Sequence, residues 1–122
     1  MLTLICGCPN SGKTTYSNKH YPAALHNDDL VRNGQNVVDI IGCAAGDICI
    51  EGVFSSPMHR RHIAEAYAGR KVCIWLDTSL EECLRREGRN RSERLLKMYH
   101  RCFQPPSYDE GWDEIIIKKG EI

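Results

Sequence analysis

Several features that would narrow the interpretation are absent from the sequence. The 122 residues carry sixteen basic and sixteen acidic side chains, so the formal net charge is zero and argues neither for nor against an anionic partner. No apolar run approaches the roughly 18 residues that suggest a membrane span. No signal peptide precedes the first apolar segment, which starts at Leu2. We therefore expect a cytoplasmic protein without a membrane partner.

Paired cysteine motifs are also missing, although cysteine itself is common. The seven cysteines are odd in number and form neither a C-x-x-C pair nor a metal-ligand spacing: Cys6, Cys8, Cys43, Cys49, Cys73, Cys83 and Cys102. Most of them lie in apolar runs, which predicts buried free thiols in a reducing compartment. The sequence therefore predicts no structural metal.

Short apolar runs alternate with stretches of helical spacing along the chain. The runs indicate buried strands at residues 2–6, 23–26, 47–51, 71–76 and 114–117. The helical stretches cover residues 13–20, 36–45, 57–68, 79–87 and 92–103. This alternation predicts an α/β fold, with one domain over residues 1–122 and a parallel sheet of about five strands flanked by helices. Such a sheet places its ligand site at the carboxyl ends of the strands.

The segment GCPNSGKT, from Gly7 to Thr14, matches the pattern G-x-x-x-x-G-K-[ST] in full. It follows an apolar strand and opens a helix, which is the context of a phosphate-binding loop. Backbone N–H groups would curl around a polyphosphate, and the helix would add its positive end. Lys13 would reach the β- and γ-phosphates, and Thr14 would ligate Mg²⁺. The predicted ligands are ATP and Mg²⁺, and the predicted binding residues are Gly7, Cys8, Pro9, Asn10, Ser11, Gly12, Lys13, Thr14 and Thr15.

Length and motif content favour a phosphotransferase over a switch or a motor. Motor ATPases and GTPases are generally longer, and the NKxD motif that usually reads guanine is absent. A kinase needs an acceptor-side base, a positive lid over the transferring phosphoryl group and a means of excluding water.

The segment HNDDLVR supplies candidates for the base. Asp28 and Asp29 follow the second apolar run, where a carboxylate could take the proton from an attacking hydroxyl. If a helix started at Leu30, Asp29 would be its N-cap and Asp28 the base. Both aspartates could instead be caps or solvated turn residues.

Residues 85–91, RREGRNR, are rich in arginine, and Gly88 breaks the preceding helical stretch. Guanidinium groups match the charge on the three equatorial oxygens of a transferring phosphoryl group. We therefore expect a short arginine-rich lid in which Arg89 and Arg91 contact that group and act in catalysis together with Lys13 and Asp28.

Five segments follow one another in a telling order: GCPNSGKTTY, HNDD, a strand-ending carboxylate followed by PMHRR, DTSLEECLRREGRNR, and CFQPPSYDEGWDEIII. This order resembles the 5′-polynucleotide kinases, both the phage-type enzymes and the kinase half of the eukaryotic DNA-end-processing enzymes. The tail pattern F-x-P-P-x-x-x-E-G-W-x-E-I is the most specific part, whereas residues 33–46 match no family motif. The resemblance implies transfer of the γ-phosphate of ATP to the 5′-hydroxyl of a DNA or RNA end. It also implies that Lys13, Thr14 and Thr15 bind phosphate and metal, that Asp28 is the general base, and that Arg89 and Arg91 are lid arginines.

Several residues are candidates for the acceptor side. Glu51 ends the third apolar run, where it could organise the water shell of Mg²⁺, hold an acceptor-side arginine, or face solvent. Arg32, Arg60 and Arg61 could contact nucleic-acid phosphates. Phe54 could stack on a terminal base or be buried in the core. The predicted acceptor-binding residues are Asp29, Arg32, Phe54 and Arg61.

The chain departs from this family mainly on the acceptor side. Asn27 stands where the family commonly has arginine, and the arginine after the acidic pair is displaced by one residue, to Arg32. The segment EGVFSS replaces the family's Asp-Thr-Asn, which weakens the match of Glu51. No D-x-D pair occurs, so we expect none of the 122 residues to belong to the phosphatase module often fused to these kinases. Two alternatives therefore stay open: a small-molecule kinase of related fold, and a nucleotide-dependent binding protein that has lost catalysis.

Overall fold

The computed structural model describes residues 1–86 and 92–119. Five parallel strands form one sheet that is flanked by helices, which confirms the predicted α/β class. Every strand boundary lies within two residues of its predicted position. The strands are β1 (Leu2–Cys6), β2 (Leu25–His26), β3 (Ile48–Gly52), β4 (Lys71–Leu76) and β5 (Glu114–Lys118).

The strand order β2-β3-β1-β4-β5 places β1 at the centre of the sheet. Its last residue, Cys6, stands opposite Gly52 of β3 on one side and Trp75 of β4 on the other. The chain runs from β1 out to β2, returns through β3 and then passes β1 to reach β4, so the order reverses beside β1. Open parallel sheets bind ligands at such a reversal, beyond the carboxyl ends of the strands. The residues after Cys6 therefore occupy the position where this fold places a ligand.

Helical segments connect the strands, and short polar residues start most of them. The side-chain oxygens of Ser56, Ser79 and Ser92 each accept a hydrogen bond from the N–H group three residues ahead, as N-caps do. Pro57 occupies the first turn after Ser56, as the sequence predicts. Within the described ranges, no helix combines the length and the apolar character needed to cross a membrane. The helices are α1 (Lys13–His20), α2 (Asn27–Arg32), α3 (Val37–Gly42), α4 (Pro57–Ala66), α5 (Leu80–Arg85), α6 (Glu93–Cys102) and a 3₁₀ helix (Tyr108–Glu110).

Apolar side chains cover both faces of the sheet. Leu4 of β1 belongs to the larger cluster, together with Ile41 of α3 and Ile63 of α4. Ile5 of β1 belongs to the smaller cluster, against which Tyr16 of α1 packs. Successive residues of a strand point to opposite faces, so β1 contributes to both clusters. Burial on both faces explains why the strands are continuous apolar runs rather than alternating ones.

The cysteines are all free thiols, and four of them are buried: Cys6, Cys8, Cys73 and Cys83. For these four the predicted burial is confirmed, and Cys49 is partly buried. The prediction is wrong for Cys43 and Cys102, which are exposed because they lie at the ends of α3 and α6 rather than within strands.

A charged pair is buried within the larger cluster. Arg60 of α4 has no exposed surface, and Glu110 is only 2% exposed. The Arg60 guanidinium donates from Nε to Glu110 Oε1 at 2.8 Å and from Nη2 to Oε2 at 2.9 Å. It also donates to the carbonyl oxygens of Phe54 (2.7 Å) and Pro105 (3.1 Å), while Trp112 Nε1 donates to Glu110 Oε1 at 2.9 Å. A buried ion pair is stable only when its remaining donors and acceptors are satisfied in this way.

This network gives the tail pattern a structural role. The Phe103 ring stacks on Trp75 with centroids 5.8 Å apart, and the Arg60 guanidinium lies 5.8 Å from the Phe103 ring centroid. Gly111, at φ 107°, makes the turn that lets Glu110 and Trp112 meet. The expectation that Arg60 contacts nucleic acid is therefore wrong, because its guanidinium is fully buried and bonded to Glu110 and two carbonyl oxygens.

We expect Glu110→Ala to lower the free energy of unfolding by about 3–5 kcal/mol, because it leaves a buried guanidinium unpaired. Urea denaturation followed by circular dichroism measures this loss. The double variant Arg60→Met/Glu110→Leu removes both charges and should recover much of the stability.

Glu114→Ala is the matched control, since Glu114 pairs with Arg70 at 3.0 Å on the exposed surface. Such a pair contributes about 0–1 kcal/mol. A Glu110→Ala variant that is no less stable than Glu114→Ala would show that the buried network does not hold the tail in place.

Candidate functional site

The candidate phosphate loop, residues 7–14, leaves the central strand β1 and enters α1. Two of its residues have left-handed backbone conformations, Asn10 at φ 66° and Gly12 at φ 97°. Gly12 is the N-cap of α1 and provides no side-chain cap, and the first turn of α1 contains no acidic residue. The partial positive charge at the start of this helix is therefore not offset by its own side chains.

The interior of the loop is tight and contains an unpaired hydroxyl. A Cβ added at Gly7 would lie 2.7 Å from Ser11 Oγ and 2.9 Å from the Leu76 carbonyl oxygen, so only glycine fits there. Ser11 is fully buried, and its Oγ has no hydrogen-bond partner in the part of the chain that the structure describes. Buried hydroxyls are normally paired, so an unpaired one in a tight loop is available to a ligand oxygen.

The predicted lysine lies over this loop. Lys13 is the first residue of α1 and is 9% exposed, and its Nζ donates to the Cys8 carbonyl oxygen at 3.1 Å. Burial raises the pKa of the Cys8 thiol to about 12, so the thiol is neutral at physiological pH and adds no negative charge beside Lys13. Thr14 is half-buried and Thr15 is exposed. The Lys13 cation and the absence of a negative charge in the loop together favour binding of an anion.

Residues that follow β4 donate hydrogen bonds to carbonyl oxygens of the loop. Thr78 Oγ1 donates to the Ser11 carbonyl at 2.8 Å, and Arg86 Nη1 donates to the Asn10 carbonyl at 3.1 Å. The Asn10 side-chain amide donates in return to the Cys83 carbonyl at 3.2 Å. Sequence reasoning missed these contacts. The only signal in the sequence was the position of Thr78 just after a strand, at the edge where ligands bind.

Helix α2 begins earlier than the sequence suggested. It starts at Asn27 rather than Leu30, and its N-cap is His26, which makes no side-chain cap bond. The predicted role of Asp29 as N-cap is therefore wrong, and Asp28 and Asp29 both lie in the first turn. The physical reason is that carboxylates in the first turn stabilise a helix through its dipole, so the acidic pair permits an earlier start.

The two aspartates differ in their partners. Asp29 Oδ1 accepts a hydrogen bond from Arg32 Nη1 at 2.9 Å, and both side chains are exposed. Asp28 is exposed and makes no hydrogen bond or ion pair within residues 1–86 and 92–119. The Asp28 carboxylate is free to accept a hydrogen bond from an attacking hydroxyl, whereas the Asp29 carboxylate is engaged with a guanidinium. This difference favours Asp28 over Asp29 as a base.

The start of α2 abuts the strand next to the loop. A Cβ added at Gly52 would lie 3.0 Å from the Asn27 Cβ, so Asn27 packs directly on the end of β3. Gly52 stands opposite Cys6, and the carbonyl oxygen of the next residue, Val53, accepts a hydrogen bond from Gly7 N–H at 3.3 Å. The residue before Asp28 is thus in contact with the strand end that is hydrogen-bonded to the loop.

Glu51 is buried at the same edge of the sheet. It stands opposite Ile5 of β1 and His26 of β2, and its side chain is 8% exposed. Its Oε2 lies 2.6 Å from His26 Nδ1. The alternative of a solvent-facing strand-end residue is therefore wrong. His26 was not predicted from the sequence, where its only signal was its position at the end of a strand.

Not all of the predicted acceptor-binding residues are exposed to an acceptor. Phe54 is 4% exposed and belongs to the larger core cluster, so burial, one of the two alternatives considered, is what the structure shows. Stacking of this ring on a terminal base is thus not supported. Arg61 is exposed, with Nη2 3.7 Å from Asp109 Oδ2, and Arg32 is exposed beside Asp29. Arg89 and Arg91 lie outside the described residues, and their role in a lid stays a prediction.

A comparison with protein-family models finds no match, and neither does a comparison with curated protein sequences. Function is therefore inferred from the loop, the acidic pair and the sequence motifs.

Proposed function

We propose that this protein is a magnesium-dependent phosphotransferase that moves the γ-phosphate of ATP to the 5′-hydroxyl end of DNA or RNA. The observation that carries the proposal is the candidate phosphate loop at the reversal point of the sheet, with an unpaired carboxylate on the helix that abuts the neighbouring strand. The order of the five motifs and the tail pattern support the choice of a polynucleotide end.

The geometry and charge of the loop support a triphosphate as its ligand. Its tight interior at Gly7, the unpaired hydroxyl of Ser11 and the uncapped start of α1 all favour phosphate oxygens. Lys13 Nζ now donates to a neutral carbonyl. A hydrogen bond to a phosphate oxygen is stronger because both groups are charged, so Lys13 would turn toward the β- and γ-phosphates.

Mg²⁺ is implied by the same loop. Thr14 would ligate the ion, and Glu51 would act through a water molecule, since oxygen donors of this kind suit magnesium. When bound, the ion would neutralise charge on the phosphates. The hydrogen bond from His26 orients the Glu51 carboxylate, as a partner outside the metal ligands commonly does.

Asp28 would accept the proton of the attacking hydroxyl, which makes that oxygen a better nucleophile. Arg32 and Arg61 would contact the phosphate that follows the 5′ end, and Asp29 would position Arg32. The ion pair between Arg32 and Asp29 is exposed and therefore weak, so Arg32 can exchange its partner at little cost. Arg89 and Arg91 are predicted to stabilise the charge on the transferring group.

One observation favours the small-molecule alternative. Arg60 and Phe54, which the sequence offered as contacts for an oligonucleotide, are both buried. Fewer side chains are then available to neutralise successive phosphates or to stack on a base. A kinase of the same fold that acts on a nucleoside, nucleotide or metabolite hydroxyl would need fewer such contacts.

An acceptor panel tests the proposal. The protein is incubated with Mg²⁺, with ATP labelled on the γ-phosphate, and with 5′-hydroxyl DNA and RNA oligonucleotides, nucleosides, mononucleotides and sugars. The same oligonucleotides carrying a 5′-phosphate are the matched control, since they offer no 5′-hydroxyl. Label on 5′-hydroxyl oligonucleotides alone is the expected result. Label on monomers alone would instead identify a small-molecule kinase, and ATP binding without transfer would identify a binding protein.

A further inference from the structure

We propose that Arg86 is a positioning residue that fixes the candidate phosphate loop from outside, through the main chain of Asn10. The inference rests on the proposed function in one respect, namely that the loop binds the triphosphate of the donor.

Asn10 is held at both its main chain and its side chain. Arg86 Nη1 donates to its carbonyl oxygen at 3.1 Å, and its side-chain amide donates to the Cys83 carbonyl at 3.2 Å. These reciprocal bonds join the loop to the segment around α5, more than 70 residues away in sequence. Asn10 has φ 66°, a conformation that residues other than glycine rarely adopt. The bonds therefore hold a conformation that the residue would otherwise tend to leave.

The direction of a carbonyl group decides the direction of the next N–H group. A trans peptide is planar, and its C=O and N–H point in opposite directions. The Asn10 carbonyl points out to Arg86 and the Ser11 carbonyl points out to Thr78. The Ser11 N–H consequently points away from Arg86 and donates to the Cys8 carbonyl oxygen at 3.1 Å, and the Gly12 N–H points away from Thr78. Arg86 thus holds the turn from Cys8 to Ser11 in place, and Thr78 sets the direction of the Gly12 N–H group that a phosphate would meet.

The neighbouring arginine shows what Arg86 adds. Arg85 and Arg86 both bond to Glu82, from Nε at 2.7 Å and 3.3 Å respectively. The Arg85 side chain is 73% exposed and makes no hydrogen bond or ion pair with the loop within the described ranges, whereas that of Arg86 is 17% exposed and bonds to Asn10. Arg85 therefore serves as a matched control with the same charge, the same helix end and the same carboxylate partner.

The experiment measures binding by isothermal titration, with Mg²⁺ and ATP and, separately, with inorganic tripolyphosphate as a probe of the loop alone. Arg86→Ala should raise the Kd for both ligands by about 10–100-fold, the range for a hydrogen bond made by a charged group. Arg85→Ala should change either Kd by less than about twofold. Arg86→Lys should recover part of the affinity. An ammonium group can donate to the Asn10 carbonyl oxygen, but it lacks the planar arrangement of donors that lets Arg86 bond to Glu82 at the same time.

Thermal unfolding of each variant separates this role from a general loss of stability, which lowers the folded fraction without changing the Kd of the folded protein. Should Arg86→Ala fail to fold, Arg86→Met replaces it, since the apolar stem keeps its length. Equal Kd values for the Arg85 and Arg86 variants would overturn the proposal. So would a loss of ATP affinity without a loss of tripolyphosphate affinity, because Arg86 would then act on the nucleoside.

The two proposals fail separately. If the wild-type protein binds both probes but labels no acceptor, the proposed kinase function fails, and the role of Arg86 is still decided by the Kd values of the Arg85 and Arg86 variants. If it labels an acceptor while the Arg86 and Arg85 variants bind alike, only the role of Arg86 fails. Absence of binding to either probe would overturn both.

Discussion

Lys13→Ala is expected to abolish phosphoryl transfer, with a loss of at least about 10²–10³-fold in kcat, the range for removing one stabilising donor. The Lys13 ammonium group is the one predicted side-chain cation of the loop itself. It is already desolvated over the loop, where it donates to the Cys8 carbonyl. Without it, the loop would offer no side-chain cation to the negative charge that develops on the transferring group.

The measurement is the initial rate of transfer to the best acceptor of the panel at saturating ATP. Lys19→Ala is the control, since Lys19 is an exposed lysine in the last turn of the same helix. It removes the same charge far from the loop and should retain nearly full activity. Full activity of Lys13→Ala would contradict the assignment of residues 7–14 as a phosphate loop.

Asp28→Asn is expected to lower kcat by about 10²–10⁴-fold, the usual contribution of a general base, while the Kd for ATP changes little. The amide keeps the shape of the side chain but cannot accept the proton. Binding of ATP should survive because Asp28 lies on α2, and no hydrogen bond or ion pair joins it to the loop within the described residues.

Asp29→Asn is the matched control, one residue further along the same helical turn. It frees Arg32 from its partner, so it should alter the KM for the acceptor more than kcat. If Asp29→Asn removed activity and Asp28→Asn did not, the base would be Asp29, and the unpaired state of Asp28 would have another explanation.

The bounds of a strand or helix were predictable where a single sequence pattern determines them. β1 and β4 were predicted to the residue because strands buried on both faces form uninterrupted apolar runs. α1 was predicted to the residue, and its start follows from the phosphate-loop pattern, which opens a helix after Gly12. The edge strand β2 pairs over only two residues, and the sequence predicted it as longer because an apolar run does not show where pairing stops.

The site was predictable only in part. The loop and the acidic pair follow from local sequence, since each is a continuous segment. The contacts of Thr78 and Arg86 with the loop join residues that lie far apart in sequence, and nothing local indicates them. The burial of Arg60 was not predicted, for a different reason: a charged side chain is normally exposed to solvent. Its spacing of three and four residues from Ile63 and Ala64 already placed it on the buried stripe of α4.

The central position of β1 has a consequence for how the two halves of the site can fluctuate. The candidate phosphate loop follows a strand that is paired on both sides, whereas the acidic pair follows β2, a two-residue strand at the edge of the sheet. Local opening begins where few interactions must break, so amide hydrogens of β2 and α2 should exchange with deuterium well before those of β1. The candidate phosphate loop would then keep its conformation while the segment that carries the acidic pair fluctuates. Hydroxyl compounds of different shapes could therefore enter the site without a change in the loop.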